Sequence, residues 1–153
     1  MKRSNSTSTI HLDGHPGLHR WRCGNYTTCS DTNAYWLGGS HQAWVAEADI
    51  GIVGTGYLCP NHQGNADHIC NAGFVTSAEA RGRGVAQSLL NHIVAEARMA
   101  GFKAMQFNFV VSTNTGAIAL WQRNGFEIVG TLPRAFRHPE AGFVDAHVMY
   151  QLL

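Results

Sequence analysis

Apolar residues in the second half of the chain recur with the period of an amphipathic helix in two places. Between residues 85 and 100 they fall at steps of three and four, which predicts a helix that ends before Gly101. A shorter stretch of the same kind spans residues 115–124, with Ser112 or Thr113 as its predicted cap. Each of these helices is expected to present one apolar face to a sheet.

Six other segments are rich in apolar and β-branched residues, or alternate apolar with polar positions, and are predicted to be strands. They are residues 42–47, 52–59, 66–76, 103–111, 126–132 and 144–152. The first helix connects two of these strands, so that pair should be parallel with a right-handed crossover. Residues 133–143 are predicted to be a loop. The sequence thus predicts an α/β (α+β) domain with elements in the order β-β-β-α-β-α-β-β and one parallel pair of strands.

Residues 1–33 follow neither period and are dense in His, Arg, Trp, Cys and Gly. Three interpretations stay open: a diverged but folded N-terminus, a disordered extension on a truncated domain, or an altered reading frame upstream of about Asp31. His11, His15 and His19 are spaced by four residues, but the glycines and proline between them oppose a helix, so no metal site is predicted. We therefore divide the chain into an atypical segment, 1–33, and a domain at 34–153.

Composition restricts the partners of this domain. The chain has 153 residues, 14% charged, with a net charge of +1, which gives no reason to expect nucleic acid or an anionic membrane as a partner. No signal peptide is visible, no segment approaches the roughly 20 apolar residues of a spanning helix, and the four cysteines form no CxxC pair. These features predict a soluble, cytoplasmic protein with reduced thiols.

A glycine-rich turn opens the first predicted helix. Its residues are Arg81, Gly82, Arg83, Gly84, Val85 and Ala86. A helix N-terminus carries unpaired N–H groups and a partial positive charge, and glycines let a ligand approach the backbone closely. The turn is therefore predicted to bind a phosphate or pyrophosphate group.

Two motifs in this order resemble those of the GNAT superfamily of acetyl-CoA-dependent N-acetyltransferases. The turn, Arg81-x-x-Gly84-x-Ala86, is similar to the family signature Gln/Arg-x-x-Gly-x-Gly/Ala between a strand and a helix. The second helix is similar to the pattern N-x-x-A-x-x-L-Y-x-x-x-G-F, with Asn114 at its start and Trp121 in place of Tyr. The resemblance covers about residues 42–153 and implies acetyl transfer to an amine. It also implies a mixed, mostly antiparallel sheet with a parallel, splayed central pair and flanking helices.

A narrower resemblance involves residues 106–114 (QFNFVVSTN), residues 130–138 (GTLPRAFRH), and the later Gly142-x-Val144-Asp145-Ala146. These segments are similar to a GNAT branch that acetylates cyclic imino acids, proline analogues such as azetidine-2-carboxylate. The acceptor implied is a small amino or imino acid-like molecule, and no metal is implied. Such folds can form homodimers through their C-terminal strands.

The family resemblance implies roles for the residues that match it. Acetyl-CoA would lie where residues 71–76 and 104–111 splay apart. The implied cofactor-binding residues are Phe74, Val75, Thr76, Arg81, Gly82, Arg83, Gly84, Val85, Ala86, Asn114 and Trp121. A backbone N–H near Val75 or Thr76 would stabilise the oxyanion, which makes Thr76 a catalytic candidate. Asn108, expected to face the substrate, and Asn114, expected to contact the pantetheine or acyl end, are the other two. The acceptor candidates are Asn71, Asn108, Arg134 and His138.

Each of these residues also has a structural interpretation. Asn114 can be a helix cap, Asn108 a satisfied core amide, Arg134 part of a solvated loop, and His138 a structural histidine. Trp121 cannot give up a proton at neutral pH as the family's Tyr can, so we interpret it as packing.

The alternative to an enzyme is therefore a catalytically impaired acyl-CoA-binding protein with an incomplete acceptor site. Acetylation of a protein or peptide is a third hypothesis, slightly disfavoured by the low net charge.

Overall fold

The computed structural model describes residues 20–23 as backbone, and residues 41–49 and 51–153 with their side chains. These residues form seven strands and two helices: β1 Arg20–Cys23, β2 Gln42–Ala48, β3 Gly51–Pro60, β4 Ile69–Thr76, α1 Val85–Met99, β5 Ala104–Val111, α2 Thr115–Arg123, β6 Glu127–His138 and β7 Gly142–Leu152. Short 3-10 turns lie at Gly64–Ala66 and Ala78–Ala80. No helix in the described ranges is both long and apolar enough to cross a membrane.

The strands hydrogen bond in the order β1-β2-β3-β4-β5-β7-β6. β4 and β5 are parallel, and their ladder joins Ile69–Asn71 to Ala104–Gln106. The pairs β1–β2, β2–β3, β5–β7 and β6–β7 are antiparallel. The predicted mixed, mostly antiparallel sheet with a parallel pair is therefore confirmed. The parallel pair follows from the crossover through α1, which returns the chain to the end of the sheet from which β4 starts.

The prediction of a loop at residues 133–143 is wrong. β6 continues to His138, and only residues 139–141 form the turn to β7. Pro133 has no N–H to donate, and a strand accepts it where the ladder is irregular. Here the β6–β7 register shifts between Leu132 and Phe136, and β6 is the last strand in the order. The pairing of β6 with β7 is thus irregular around Pro133, but the strand continues beyond it.

A short strand also lies in the segment that shows no period. β1 pairs with β2 from Arg20 opposite Glu47 to Cys23 opposite Trp44. Four residues are too few to establish an alternation, so the pattern gives no signal for it. The spaced histidines 11, 15 and 19 lie outside the described residues, and so the three interpretations of the N-terminus stay open. Residues 34–37, where the sequence before Gly38 and Gly39 predicts the end of a short helix, also lie outside them.

The chain divides into two compact units. One combines the described residues up to Cys59 with Gly73–Ile93, and the other combines Pro60–Ala72 with Val94–Leu153. In the first, α1 lies close against β3 because Gly54 and Gly56 present no side chain to it. A Cβ atom at Gly54 would lie 2.8 Å from Val85 Cγ1, and one at Gly56 would lie 2.5 Å from Ile93 Cδ1. The predicted apolar face of α1 is buried at Leu89, Leu90 and Ile93.

The core of the second unit includes side chains of β4, β5 and β7. Its fully buried side chains include Phe126, Met105, Met149 and Cys70. The Cys70 thiol donates to the backbone oxygen of Ala104 at 3.3 Å. Burying apolar side chains of this size stabilises a fold by roughly 1.5–3 kcal/mol each, so these residues hold β4, β5 and β7 in register.

We expect the Gly73→Ala variant to be less stable by about 1–3 kcal/mol, because overpacking a filled site forces its neighbours to move. The added Cβ would overlap the buried Tyr57 ring, with Tyr57 Cζ at 2.9 Å. Urea denaturation measures the change. The control is Gly116→Ala in α2, where nothing lies within 4 Å and alanine should stabilise the helix by about 0.5–1 kcal/mol. A Gly73→Ala protein as stable as the parent would contradict this packing of Tyr57.

Candidate active site

In the first unit, the glycine-rich turn connects the 3-10 turn Ala78–Ala80 to α1. Gly82 and Gly84 have φ angles of 74° and 77°, in the left-handed region that residues with a side chain rarely adopt. A Cβ atom at either position would meet nothing within 4 Å. The glycines are thus required by the backbone conformation and leave open space beside the turn.

The turn uses some of its N–H groups and leaves others unpaired. Arg81 N donates to Ala78 O at 3.3 Å, and Arg83 N donates to Ala80 O at 3.2 Å. Within the described part of the chain, four N–H groups of the turn and the first residues of α1 have no acceptor; they belong to Gly82, Gly84, Val85 and Ala86. Since the amides of Arg81 and Arg83 are engaged, these two residues can reach an anion only through their exposed side chains.

The last residues of β4, in the same unit, leave a length of backbone beyond the ladder to β5. That ladder ends at Asn71, whereas β4 continues through Phe74, Val75 and Thr76. Ser77 N donates to Val53 O at 2.9 Å, which ties the end of β4 to β3. The Phe74 ring lies against Gly56, while the Val75 side chain is 54% exposed. An apolar side chain is thus exposed beside backbone groups that can pair with a ligand.

In the second unit, Asn108 lies on a β-bulge of β5. Phe107 pairs with Met149 and Val110 with His147, so Asn108 and Phe109 together oppose a single residue of β7. Asn108 Oδ1 accepts from Gln106 Nε2 at 2.8 Å, and Asn108 Nδ2 donates to Asn61 Oδ1 at 2.7 Å. The amide is exposed, so the interpretation of Asn108 as a core residue is wrong, although its side chain does have partners.

Asn71, the other asparagine predicted to contact the acceptor, is in the same unit but is 8% exposed. It lies opposite Gln106 in the parallel ladder. Paired residues of neighbouring strands place their side chains on the same face of a sheet. The register therefore places Asn71 on the same face as the Gln106 side chain, which in turn contacts Asn108.

Asn114 and Trp121 have structural roles on α2. Asn114 is the N-cap, since its Oδ1 accepts from Ala117 N at 3.3 Å, so the predicted caps Ser112 and Thr113 are wrong. Trp121 is 7% exposed, and its ring lies 5.0 Å from that of Phe107 between centroids. Phe107 in turn stacks on Phe126 at 4.3 Å. Trp121 thus packs as interpreted from the sequence, and its contact with a cofactor stays a prediction.

The predicted acceptor residues of β6 are held by the hairpin with β7. Arg134 has a φ of 53° and its N–H donates to Asp145 Oδ1 at 2.8 Å. Its guanidinium carbon lies 5.6 Å from the centroid of the Phe143 ring, and that of Arg137 lies 5.3 Å from it. His138 Nδ1 accepts from the N–H groups of Glu140 and Ala141 at 3.2 and 3.1 Å. His138 therefore stabilises the turn, and only Nε2 can meet a substrate.

No sequence pattern singles out Asn61, which the fold brings to Asn108 across 47 residues of chain. Of the described cysteines, Cys59 is buried, and burial raises the pKa of its thiol, so it is a poor nucleophile. No group of three or more His, Cys, Asp or Glu residues in the described ranges can hold a metal ion.

Residues 10–126 match the profile of the Acetyltransferase (GNAT) family. The chain belongs to this family of acetyltransferases. The resemblance seen in the two motifs is thereby confirmed at the level of the GNAT superfamily. The match begins at residue 10, so it includes most of the segment 1–33 that lacks a clear period.

Relatives of this GNAT chain include proteins from fungi and bacteria. It is 38% identical over 98 residues to the N-acetyltransferase aca1 of Schizosaccharomyces pombe, a match that covers 63% of this chain and 47% of that protein. The chain thus spans about half the length of this curated relative. The structure of a GCN5-related N-acetyltransferase from Kribbella flavida is 38% identical with a TM-score of 0.76, covering 84% of this chain and 82% of that one.

The fold is also shared with a more distant enzyme. A GNAT superfamily phosphinothricin acetyltransferase (Pat) from Sinorhizobium meliloti, solved in complex with AcCoA, has a TM-score of 0.68 and 24% identity. That similarity covers 78% of this chain and 65% of the other. At this identity the comparison shows a common fold.

Proposed function

We propose that the chain binds acetyl-CoA and transfers the acetyl group to the amine of a small amino or imino acid-like molecule. The observation that carries this proposal is the set of unpaired N–H groups at Gly82, Gly84, Val85 and Ala86. They lie at a helix N-terminus, beside open space, in a sequence that matches the GNAT signature. Such groups bind a pyrophosphate, and the exposed Arg81 and Arg83 side chains add positive charge.

The end of β4 is proposed to hold the pantetheine arm. The arm contains two amide groups, which can hydrogen bond to the main chain of Phe74, Val75 and Thr76 as an added strand does. The exposed Val75 side chain would cover its methylene groups. A backbone N–H of Val75 or Thr76 would donate to the thioester oxygen as it becomes negative. A fixed donor at this developing charge stabilises the transition state and so lowers the barrier.

The reaction itself needs little acid catalysis. The neutral amine nitrogen attacks the thioester carbonyl carbon, the C–N bond forms, the C–S bond breaks, and the amine gives up a proton to solvent or a nearby base. Coenzyme A leaves as a thiolate, which is tolerable because thiol pKa values are near 8.5. The buried Trp121 at the position of the family's Tyr is therefore compatible with catalysis. Asn114 is proposed to contact the pantetheine or acyl end in addition to capping α2.

The acceptor is proposed to be recognised by polar groups of the second unit. The Asn108 amide can donate to a carboxylate and accept from an amine, and Asn71, Arg134 and His138 are the further candidates. Inside the described ranges neither Arg134 nor Arg137 has an ion-pair partner, so their guanidinium groups can meet a substrate carboxylate. The resemblance of residues 106–114 and 130–138 to imino-acid acetyltransferases favours a compact cyclic acceptor.

Release of free thiol from acetyl-CoA tests the proposal. The purified chain is incubated with acetyl-CoA and a panel of amines that includes proline, azetidine-2-carboxylate, primary amino acids and a basic peptide. We expect turnover with one of the carboxylate-bearing small amines and formation of its N-acetyl product. Acetyl-CoA binding by calorimetry with no turnover on any amine would contradict the enzymatic proposal, and turnover on the peptide alone would contradict the small-molecule acceptor.

A further inference from the structure

A row of side-chain amides connects the bulge of β5 to the loop between β3 and β4. Gln106 Nε2 donates to Asn108 Oδ1 at 2.8 Å, and Asn108 Nδ2 donates to Asn61 Oδ1 at 2.7 Å. Asn61 Nδ2 lies 3.2 Å from His62 Nε2 at the end of the row. All four residues belong to the second unit. The row is exposed, so it is not required to satisfy buried polar groups.

We propose that Asn61 is a positioning residue, which sets the orientation of the Asn108 amide for the acceptor. An asparagine amide has two N–H donors and two acceptor lone pairs on its oxygen. Asn108 uses one donor on Asn61 and one lone pair on Gln106, which leaves one N–H and one lone pair. Those remaining groups match a carboxylate and an amine, the two groups of an amino or imino acid. The inference rests on the proposed function of Asn108.

The two partners of Asn108 oppose a flip of its amide alone. Rotation by 180° would place its nitrogen against Gln106 Nε2 and its oxygen against Asn61 Oδ1. Two donors would then face each other, and so would two acceptors. Gln106 contacts only the oxygen of the Asn108 amide, so it holds one edge of that group and leaves the nitrogen edge to Asn61. The contact from Asn61 restrains the second edge, so the Asn108 amide can flip only if the Gln106 and Asn61 amides turn with it.

The backbone around Asn61 is held in place, as a positioning residue requires. Asn61 directly follows β3, and its N–H donates to Ile69 O at 2.8 Å, at the start of β4. Asp67 N donates to Gly64 O at 3.1 Å, which closes the 3-10 turn of the same loop. Asn108, by contrast, is one of the two bulged residues on β5, where pairing to β7 is interrupted. The anchored loop therefore restrains the less regular position.

The test compares Asn61→Ala with Asn61→Asp in the full chain. We expect Asn61→Ala to lower kcat/KM for the amine acceptor by about tenfold, a change in transition-state binding of about 1.4 kcal/mol. KM for acetyl-CoA and the thermal midpoint should not change. Asn61→Asp keeps the acceptor oxygen and should restore most of the acceptor kcat/KM. The control is Asn65→Ala, the same substitution at an exposed position of the same loop, and it should behave as the parent.

A double variant distinguishes positioning from a separate role. If Asn61 acts through Asn108, then adding Asn61→Ala to Asn108→Ala should cause no further loss. Full activity in Asn61→Ala, or an independent loss in the Asn108→Ala background, would overturn the inference. A loss that Asn61→Asp does not restore would also overturn it. These outcomes require an active parent, so a parent with no turnover on any amine rejects the proposed function and this inference together, whereas an active parent isolates the role of Asn61.

Discussion

The Asn108→Ala variant is expected to lose about 100-fold in kcat/KM for the amine acceptor while staying folded. Losing a hydrogen bond to a charged group typically costs about 1.5–3 kcal/mol, which corresponds to roughly 10- to 150-fold in kcat/KM. The effect on stability should be small, about 1 kcal/mol or less, because the amide is exposed and its loss leaves no buried group unpaired. Steady-state kinetics with the acceptor varied, and urea denaturation of the same preparation, measure both quantities.

The matched control for Asn108→Ala is Asn91→Ala. Asn91 lies on the exposed surface of α1, and its Oδ1 accepts from Gln87 Nε2 at 2.8 Å. The control thus removes the same kind of amide–amide hydrogen bond at a residue outside the candidate acceptor set, and it should leave kcat/KM unchanged. A loss in Asn108→Ala that appears only in KM for acetyl-CoA would refute an acceptor role for Asn108, as would an activity above half that of the parent.

The parts of the fold that the sequence predicts are those determined by local pattern. The face of α1 follows from apolar residues at steps of three and four, and Leu89, Leu90 and Ile93 are indeed buried. The glycine-rich turn follows from its composition, since only glycine takes the left-handed backbone at Gly82 and Gly84 without strain. Both features depend on residues within a few positions of one another.

The extension of β6 depends instead on a contact between strands. Proline and the left-handed Arg134 would ordinarily end a strand, and the local sequence accordingly predicts a loop from residue 133. The Asp145 carboxylate of β7 accepts from Arg134 N, which holds the irregular position against the neighbouring strand. No pattern within residues 127–138 contains that partner. The cap of α2 is also ambiguous in the sequence, because Ser112, Thr113 and Asn114 are all residue types that favour an N-cap, and the structure shows that Asn114 takes this position.

The candidate site divides in the same way. Its proposed cofactor part, from Phe74 to Ala86, is continuous in the sequence, so the motif and its setting are enough to suggest it. The surroundings of Asn108 could not, because Asn61 is 47 residues away and gives no signal in a polar loop. The bulge that exposes Asn108 depends on the register between β5 and β7. Sequence can thus nominate Asn108, whereas its partners follow only from the folded chain.

The Gly84→Val variant is expected to raise KM for acetyl-CoA at least tenfold, a loss of about 1.4 kcal/mol in binding. Gly84 has a φ of 77°, and open space lies where its Cβ would be. A valine side chain would occupy that space, next to the unpaired N–H groups of Val85 and Ala86, and would crowd a bound pyrophosphate. It would also strain the left-handed backbone by roughly 1–2 kcal/mol. Titration with acetyl-CoA at saturating acceptor measures the change in KM.

The strain and the crowding are separated by Gly101→Val. Gly101, just after α1, has a φ of 90° and also has nothing within 4 Å of an added Cβ, so a valine there carries similar backbone strain at a position with no proposed ligand contact. Both variants should lose comparable stability in urea, but only Gly84→Val should weaken acetyl-CoA. An equal rise of KM in both would assign the effect to general destabilisation. An unchanged titration in Gly84→Val would remove the pyrophosphate from this turn, because a branched side chain and a bound phosphate cannot occupy the same space.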